Sequence, residues 1–120
     1  MPLGVLHIDG ALYFTSGAGT RKSRNIARDP RCVVTLATHP FDLVVEGAAE
    51  RVTDAATLQH VAATFATGGW PASVDGEALT AEFSAPAAGP PPWDVYRVRP
   101  TTVFALGTAE PYGATRFDLA

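Results

Sequence analysis

The chain has 120 residues, of which 47% are hydrophobic and 18% charged, and its mean hydropathy is +0.10. We therefore expect one globular domain over residues 1–120, because the chain is too apolar for a disordered segment and lacks the roughly 18 consecutive apolar residues of a membrane span. The single cysteine, Cys32, excludes an internal disulfide, and the N-terminus MPLGVLHIDG lacks the features of a signal peptide, so we expect a cytoplasmic protein.

The distribution of charge points to a small anionic ligand. The net charge of −3 argues against a general nucleic-acid binder, because affinity for phosphate backbones needs a basic surface. Residues 21–31 nevertheless hold five of the nine basic residues and one aspartate, so this segment carries +5 − 1 = +4 and the remainder 4 − 11 = −7. We expect this basic segment to bind something small and anionic.

The first third of the sequence predicts a hairpin followed by a short helix. Residues 5–8 and 11–16 favour strands, and they flank the turn pair Asp9-Gly10. A break at residues 17–19 comes next, and Thr20 is a good N-cap for a helix over residues 21–29 that ends before Pro30.

The middle of the chain predicts two antiparallel strands and a second helix. The β-rich residues 31–38 and 42–53 are separated by a turn at His39-Pro40, and Gly47 permits a bulge or a close approach by another group. Asp54 or Thr53 caps a helix that runs to residue 67 and stops at Gly68-Gly69. Its predicted sheet-facing residues are Leu58, Val61, Ala62 and Phe65.

The last third predicts irregular chain and then two strands. Residues 70–92 are rich in proline and glycine, so we expect only a short element near residues 79–83. Strands follow over residues 93–99 and 101–107, with Pro100 at their junction. Six or seven mostly antiparallel strands with two marginal helices fit a small antiparallel β-barrel, because closure removes exposed sheet edges.

The strongest local feature is an anion cradle at residues 15–25. A strand ends in the hydroxyls of Thr15 and Ser16, glycines allow backbone N–H groups to approach a ligand, and a helix begins with Arg21 and Lys22 in its first turn. Cations at this end of a helix cost a few tenths of a kcal/mol each, up to about 1, and an anion would reverse that penalty. A solvated helix face is the alternative interpretation. A Walker A loop is excluded because two residues separate Gly19 from Lys22.

The remaining candidate groups predict no catalytic constellation. The three histidines lie on different predicted elements, so we expect no metal site, and Cys32 has the setting of a buried small hydrophobe. Trp70 and Trp93 flank the proline-rich stretch, where aromatic rings cover either a ligand or the core, and we expect the core. We interpret Asp42, Glu46 and Glu50 as surface charge on one strand face. An anion cradle without an obvious acid, base or nucleophile suits a protein whose bound cofactor does the chemistry.

The sequence also resembles a known family. Residues 9–15 (DGALYFT), 21–31 (RKSRNIARDPR), 42–47 (DLVVEG) and 51–54 (RVTD) resemble the pyridoxamine 5'-phosphate oxidase-like proteins, and within them the flavin and deazaflavin-dependent oxidoreductases. The C-terminal APAAGPPPWDVYRV and GATRF are similar to the ending of one branch. The most specific part is Lys-Ser-Arg-Asn-Ile followed by Asp-Pro.

The resemblance implies a mainly β fold, an antiparallel split β-barrel with two short peripheral helices. It implies a homodimer that binds FMN or coenzyme F420 in a groove at the subunit interface. Family members begin with a helix and a strand ahead of the segment that matches residues 2–5, so we also expect the first strand to be missing.

The resemblance assigns roles to individual residues as well. It implies that Lys22, together with Arg21, contacts the cofactor phosphate, that Thr15 and Ser16 line the site, and that Asn25 buttresses the turn. Arg116 would reach the partner's site. The Arg21-Lys22 pair would also suit the polyglutamate tail of coenzyme F420.

Three hypotheses about function follow. The first is an oxidoreductase that transfers hydride between FMN or coenzyme F420 and a small organic substrate. The second is a non-catalytic flavin or deazaflavin carrier, and the third is a polyanion binder that uses residues 21–31. The catalytic residues and the substrate are left open, since loop residues set the substrate in such folds.

Overall fold

A computed structural model describes residues 5–37, 41–84, 89–107 and 113–119. Eight strands and two helices lie within these residues. In chain order they are β1 (Leu6–Ile8), β2 (Ala11–Gly17), α1 (Arg21–Arg28), β3 (Arg31–Ala37), β4 (Phe41–Val52), α2 (Ala55–Thr67), β5 (Ser73–Asp75), β6 (Ala78–Thr80), β7 (Trp93–Gly107) and β8 (Ala114–Asp118). The predicted turn at His39-Pro40 lies outside the described residues.

The strands form one antiparallel sheet built around β7. The main path is β1-β2-β7-β4-β3, while β6 and β8 also pair with β7, and β5 pairs with β6. The end strands β1 and β3 do not pair with each other in the described residues, so the sheet is not closed. A mainly β, antiparallel architecture with two helices is confirmed, but the closure expected from the strand count is not, because both end strands keep an edge that pairs with no other described strand.

The strand β7 corrects one prediction. Residues 93–107 form a single strand of 15 residues, whereas the sequence analysis placed two strands on either side of Pro100. The pairing of β4 with β7 continues past the proline through a β-bulge. Gly47 pairs with Pro100 and Glu46 with Thr102, which leaves Thr101 as the extra residue. Thr101 is held by its Oγ1 donating to the Glu46 carbonyl at 3.1 Å. The bulge and close approach expected at Gly47 are confirmed.

Two further elements were not predicted. Residues 70–92 contain the β5–β6 hairpin, which turns at Gly76 with φ +61°, rather than one element at 79–83. The pair Asp75-Gly76 is the local turn signal for this hairpin. The strand β8 was also missed, because all five of its residues are exposed and show no apolar alternation.

Both helices follow their predicted bounds closely. Thr20 caps α1 and Asp54 caps α2, each by accepting a hydrogen bond from the backbone N–H three residues ahead. Leu58 and Val61 of α2 are fully buried, which stabilises the fold by about 1.5–3 kcal/mol for each side chain. No helix in the described part of the chain is long and apolar enough to cross a membrane.

The sheet carries hydrophobic clusters on its two faces. Successive residues of a strand point to opposite faces, and β2 contributes Tyr13 to one cluster and Phe14 to the other. The α2-side cluster consists of Ala11, Tyr13, Val52, Leu58, Val61, Ala62, Leu79 and Val95. The opposite cluster consists of Leu12, Phe14, Val34, Val45, Ala49, Tyr96 and Val98, with Ile26 of α1 packed against it. The candidate site lies on this second face.

Candidate functional site

The junction between β2 and α1 is a tight turn held by Thr20. Its backbone N–H donates to the Gly17 carbonyl at 3.0 Å, and its own carbonyl accepts from the Arg24 N–H at 3.1 Å. Its hydroxyl oxygen accepts from the Ser23 N–H at 3.3 Å. The first N–H groups of the helix, at Arg21 and Lys22, have no carbonyl within the helix to donate to and so can serve a ligand.

Three hydroxyls behind this turn form a directed chain of hydrogen bonds. Ser23 donates to Ser16 at 2.9 Å, and Thr20 donates to the Gly17 carbonyl at 2.8 Å. The Ser16–Thr20 contact of 2.9 Å allows either direction, but the Thr20 proton is already used, so Ser16 is the donor. All three hydroxyl protons are thus donated to acceptors within the chain. Ser16 is 3% exposed, and in this arrangement it secures the turn rather than presenting its proton outward.

Lys22 lies on the inner side of α1. Its Nζ is 5.9 Å from the centroid of the Phe14 ring, and that ring is stacked on Tyr96 at 5.4 Å. Desolvation by partial burial lowers the pKa of Lys22 from its ordinary value. Among the described residues no carboxylate lies within ion-pair distance of Lys22. A half-buried cation without a counter-ion, beside a helix N-terminus, fits a phosphate group.

The other cations of α1 lie on its opposite side. Helical spacing places Arg21, Arg24 and Arg28 together, and we call them the arginine face. With Asn25 and Ala27 they line an open depression of about 560 Å³. Asn25 Oδ1 accepts from Arg28 Nη2 at 2.6 Å, and the Asn25 carbonyl accepts from the Asp29 N–H at 2.9 Å. Of the predicted site residues, Lys22 and Arg21 therefore lie on different sides of the helix.

Asp29 and Arg31 complete the end of this basic segment. Their side chains form an ion pair of 2.8 Å, and hydrogen bonds from Arg31 lower the pKa of Asp29 to about 2. Asp29 is also the C-cap of α1. The only carboxylate of residues 21–31 is thus held by Arg31, away from the arginine face.

Thr15 and Arg116 are not brought to the Lys22 side within one chain. Thr15 pairs with Val95 of the α2-side cluster, so its side chain leaves the sheet on the opposite face from Ser16. Arg116 pairs with Phe104, ten positions along β7 from the partner of Ser16, Asp94, a separation of about 33 Å. Arg116 Nε donates to Asp118 at 2.9 Å, and its guanidinium lies 5.7 Å from the Phe104 ring centroid.

Sequence reasoning did not single out Phe14, Tyr96 or the ion pair of Arg51 and Asp94. Phe14 was detectable, because residues two apart in a strand share a face and Phe14 is two residues before Ser16. Tyr96 and Asp94 lie opposite Phe14 and Ser16 on β7, a pairing that no local pattern reveals. Arg51 Nη2 is 3.1 Å from Asp94 Oδ1, so this pair borders the turn on the Ser16 side.

Comparison with known proteins identifies the family. The model of the family described as pyridoxamine 5'-phosphate oxidase matches residues 1–107. The chain belongs to the pyridoxamine 5'-phosphate oxidase family. Comparison with curated protein sequences gives no match.

Solved structures show a fold similar to that of this member of the pyridoxamine 5'-phosphate oxidase family. One is PhzG from Burkholderia lata 383 in complex with tetrahydrophenazine-1-carboxylic acid, with a TM-score of 0.63 at 13% identity over 98% of this chain and 68% of that chain. Another is a pyridoxamine 5'-phosphate oxidase-related, FMN binding protein from Nostoc punctiforme PCC 73102, with a TM-score of 0.57 at 16% identity over 98% of this chain and 78% of that one. At this identity the likeness shows the fold, and the predicted split β-barrel is confirmed.

Proposed function

We propose that this member of the pyridoxamine 5'-phosphate oxidase family binds FMN and transfers hydride between the flavin and a small organic substrate. The observation that carries the proposal is Lys22, a half-buried cation that lacks a counter-ion among the described residues and lies beside the N-terminus of α1. Support comes from the family and from the FMN-binding protein of similar fold. The similar PhzG structure holds an organic acid, tetrahydrophenazine-1-carboxylic acid, which supports a small organic substrate.

The residues of the chain would act by binding and orientation. The Lys22 ammonium would neutralise the phosphate, and the N–H groups of the first turn that have no partner within the helix would donate to its oxygens. Ser16, Thr20 and Ser23 hold those N–H groups in place through the hydroxyl chain. The bound flavin ring supplies the hydride chemistry, and the chain supplies a fixed position for it.

A second copy of the chain is part of the proposal. Arg116 lies about 33 Å along β7 from the turn of its own chain, so we expect another copy to bring it to a cradle. The strand β8 is exposed along its whole length, with Phe117 at 51% and the following Leu119 at 46%. The radius of gyration of 15.1 Å exceeds the about 13.6 Å expected for a compact chain of this size. We propose that a second copy covers β8 in a homodimer.

A titration with cofactors tests the proposed binding. Calorimetric titration with FMN and with coenzyme F420 is expected to give micromolar or tighter affinity for FMN with one site per chain. If only coenzyme F420 binds tightly, the cofactor is the deazaflavin and not FMN. Binding of neither contradicts the proposal. Oligonucleotides at low salt serve as the polyanion control, because purely electrostatic binding is strongest there.

Turnover separates the oxidoreductase from the carrier. The charged side chains that border the turn among the described residues, Lys22 and the ion pair of Arg51 and Asp94, are compatible with both. We test a panel of small unsaturated or oxidised organic acceptors. If the protein is an oxidoreductase, at least one acceptor is expected to oxidise the protein-bound reduced flavin faster than it oxidises free reduced flavin. Stoichiometric flavin binding without acceleration by any acceptor would favour the carrier.

The homodimer has its own test. Light scattering after size-exclusion chromatography is expected to give twice the 12.6 kDa chain mass, and Phe117→Asp is expected to shift the protein to the monomer. Arg116→Ala should weaken FMN binding and leave the dimer intact. A monomeric wild-type protein that binds FMN at full affinity would refute this part of the proposal.

A further inference from the structure

Trp93 links the α2-side core to the turn that carries the candidate site. Its side chain is 2% exposed, and it lies opposite Leu79 on β6 and Gly17 on β2. The ring centroid is 5.5 Å from that of Trp70, which in turn meets Phe65 of α2 edge-on at 4.9 Å. Two other aromatic rings, Trp70 and behind it Phe65, thus hold Trp93 opposite the end of β2, where the cradle begins.

The indole N–H of Trp93 is used to hold a backbone segment. Its Nε1 donates to the Gly89 carbonyl at 3.2 Å, a partly buried hydrogen bond. Gly89 has φ +76°, a region that strains other residues, and a β-carbon placed on it would lie 3.6 Å from Cγ2 of Thr20. Gly89 therefore lies beside the Thr20 methyl, with room between them for the β-carbon that glycine lacks.

Thr20 is the residue on which the turn depends. Its hydroxyl contacts Ser16, the Gly17 carbonyl and the Ser23 N–H at once, and one rotamer must satisfy all three. A β-branched side chain has few rotamers, and the space around its methyl limits them further. The Gly89 segment bounds the space in which the Thr20 methyl lies, on the side that a β-carbon of Gly89 would fill.

We propose that Trp93 is a positioning residue for the anion site. It fixes the backbone at Gly89, Gly89 bounds the space of the Thr20 methyl, and Thr20 holds the first turn of α1 in the geometry that receives the anion. The identity of that anion as the FMN phosphate rests on the proposed function. The coupling from Trp93 to the first turn is a property of the folded chain and is measurable without a ligand.

Trp70 provides a matched control. It is the other tryptophan of the chain, and its Nε1 also donates to a backbone carbonyl, that of Phe83, at 2.6 Å. Trp70→Phe and Trp93→Phe each remove one indole N–H from the same aromatic cluster, but only the second removes the contact with Gly89. A comparison of the two variants separates positioning of the turn from a general loosening of the core.

Amide hydrogen exchange in the ligand-free protein is the first readout. Trp93→Phe is expected to accelerate exchange of the Ser23 and Arg24 amides by about fivefold, the effect of one neutral hydrogen bond, relative to Trp70→Phe. Thr20→Ser keeps the capping hydroxyl and removes the methyl that lies beside Gly89, so it should act in the same direction. Equal exchange at Ser23 and Arg24 in Trp93→Phe and Trp70→Phe overturns the inference. If Trp93→Phe does not fold, Thr20→Ser against the wild type decides.

Calorimetric titration of the same variants is the second readout. Trp93→Phe should lower the affinity for FMN by about fivefold and leave riboflavin unchanged, because riboflavin has no phosphate to be positioned. An equal loss for both ligands overturns the positioning role. A wild-type protein that binds neither ligand contradicts the proposed function, and the exchange comparison then decides the coupling by itself.

Discussion

The Lys22 ammonium lies 5.9 Å from the centre of the Phe14 ring, over the inner face of the sheet, while the arginine face of the same helix points away from it. Phe14 is two residues before Ser16 on one strand face, so Lys22 and the hydroxyl chain border the same space. This arrangement gives the basic segment two sides of different character. Only the inner side carries a partly desolvated cation.

The lowered pKa of Lys22 predicts how anion binding depends on pH. The affinity for FMN should begin to fall as the pH rises through the pKa of Lys22 in the free protein, which desolvation places below 10.5. The sign follows because deprotonation removes the charge that attracts the phosphate. Titrations between pH 7 and 11 check this, with Lys22→Arg as the control, since a guanidinium stays charged and the decline should move to higher pH. An identical pH profile in Lys22→Arg would show that another group titrates.

Much of the fold was predictable because its signals are local. Short stretches of sequence predict the turn at Asp9-Gly10, whose φ angles are 50° and 79°, and the helix caps at Thr20 and Asp54. The continuity of β7 was not predictable, because it depends on Thr101 bonding to Glu46, 55 positions away. From local sequence, a proline between two apolar runs predicts that the strand ends there. Only the pairing with β4 shows that β7 continues.

Gly47 should tolerate no side chain at all. A β-carbon there would lie 2.5 Å from the Arg99 carbonyl oxygen and 3.0 Å from Val98 Cγ1, and backbone cannot move aside cheaply inside a ladder. Gly47→Ala is expected to lower the free energy of unfolding by about 1–3 kcal/mol, as measured by urea denaturation. Gly68→Ala is the control, because its nearest contact is 3.5 Å and its φ is −81°, and it should change stability by no more than about 0.5 kcal/mol. Equal stability of the two variants would contradict the bulge geometry.

Glu50 gives a second pH-dependent prediction. Its carboxylate accepts from Arg97 at 2.8 Å and from Arg99 at 3.2 Å, and these contacts, Arg97 first, lower its pKa from 4.5. A depressed folded-state pKa contributes stability above pH 4.5 that is lost as the pH falls through the folded-state value. Because Glu50 is half exposed, Glu50→Gln should lower the free energy of unfolding by only about 0.5–1 kcal/mol at pH 7. The difference should become progressively smaller in acid.

Urea denaturation at pH 7 and at pH 3 checks the Glu50 prediction. Glu77 is exposed in the turn between β5 and β6 and forms no ion pair within the described residues, so Glu77→Gln should behave like the wild type at both pH values. A stability difference for Glu50→Gln that stays constant with pH would rule out the ion pairs as its cause.

The candidate site was predictable in its place and only partly in its detail. The spacing from Thr15 to Asn25 located the turn, the cap and the cationic helix correctly in the chain. The side of the helix that each cation occupies depends on which face of α1 packs on the sheet. Ile26, four residues after Lys22, packs against the opposite cluster, which lies on the same face of the sheet as the site. Its position was the available signal that Lys22, and not Arg21, faces the sheet.

The most direct test of the account compares FMN with riboflavin on Lys22→Ala and Arg28→Ala. Both variants lose one positive charge from α1, but only Lys22 borders the hydroxyl chain. The account predicts that Lys22→Ala weakens FMN binding by about 1–3 kcal/mol, roughly 5- to 150-fold, and leaves riboflavin unchanged, while Arg28→Ala keeps wild-type affinity for FMN. Unchanged FMN affinity in Lys22→Ala, or an equal loss in Arg28→Ala, would contradict the assignment of Lys22 as the phosphate ligand.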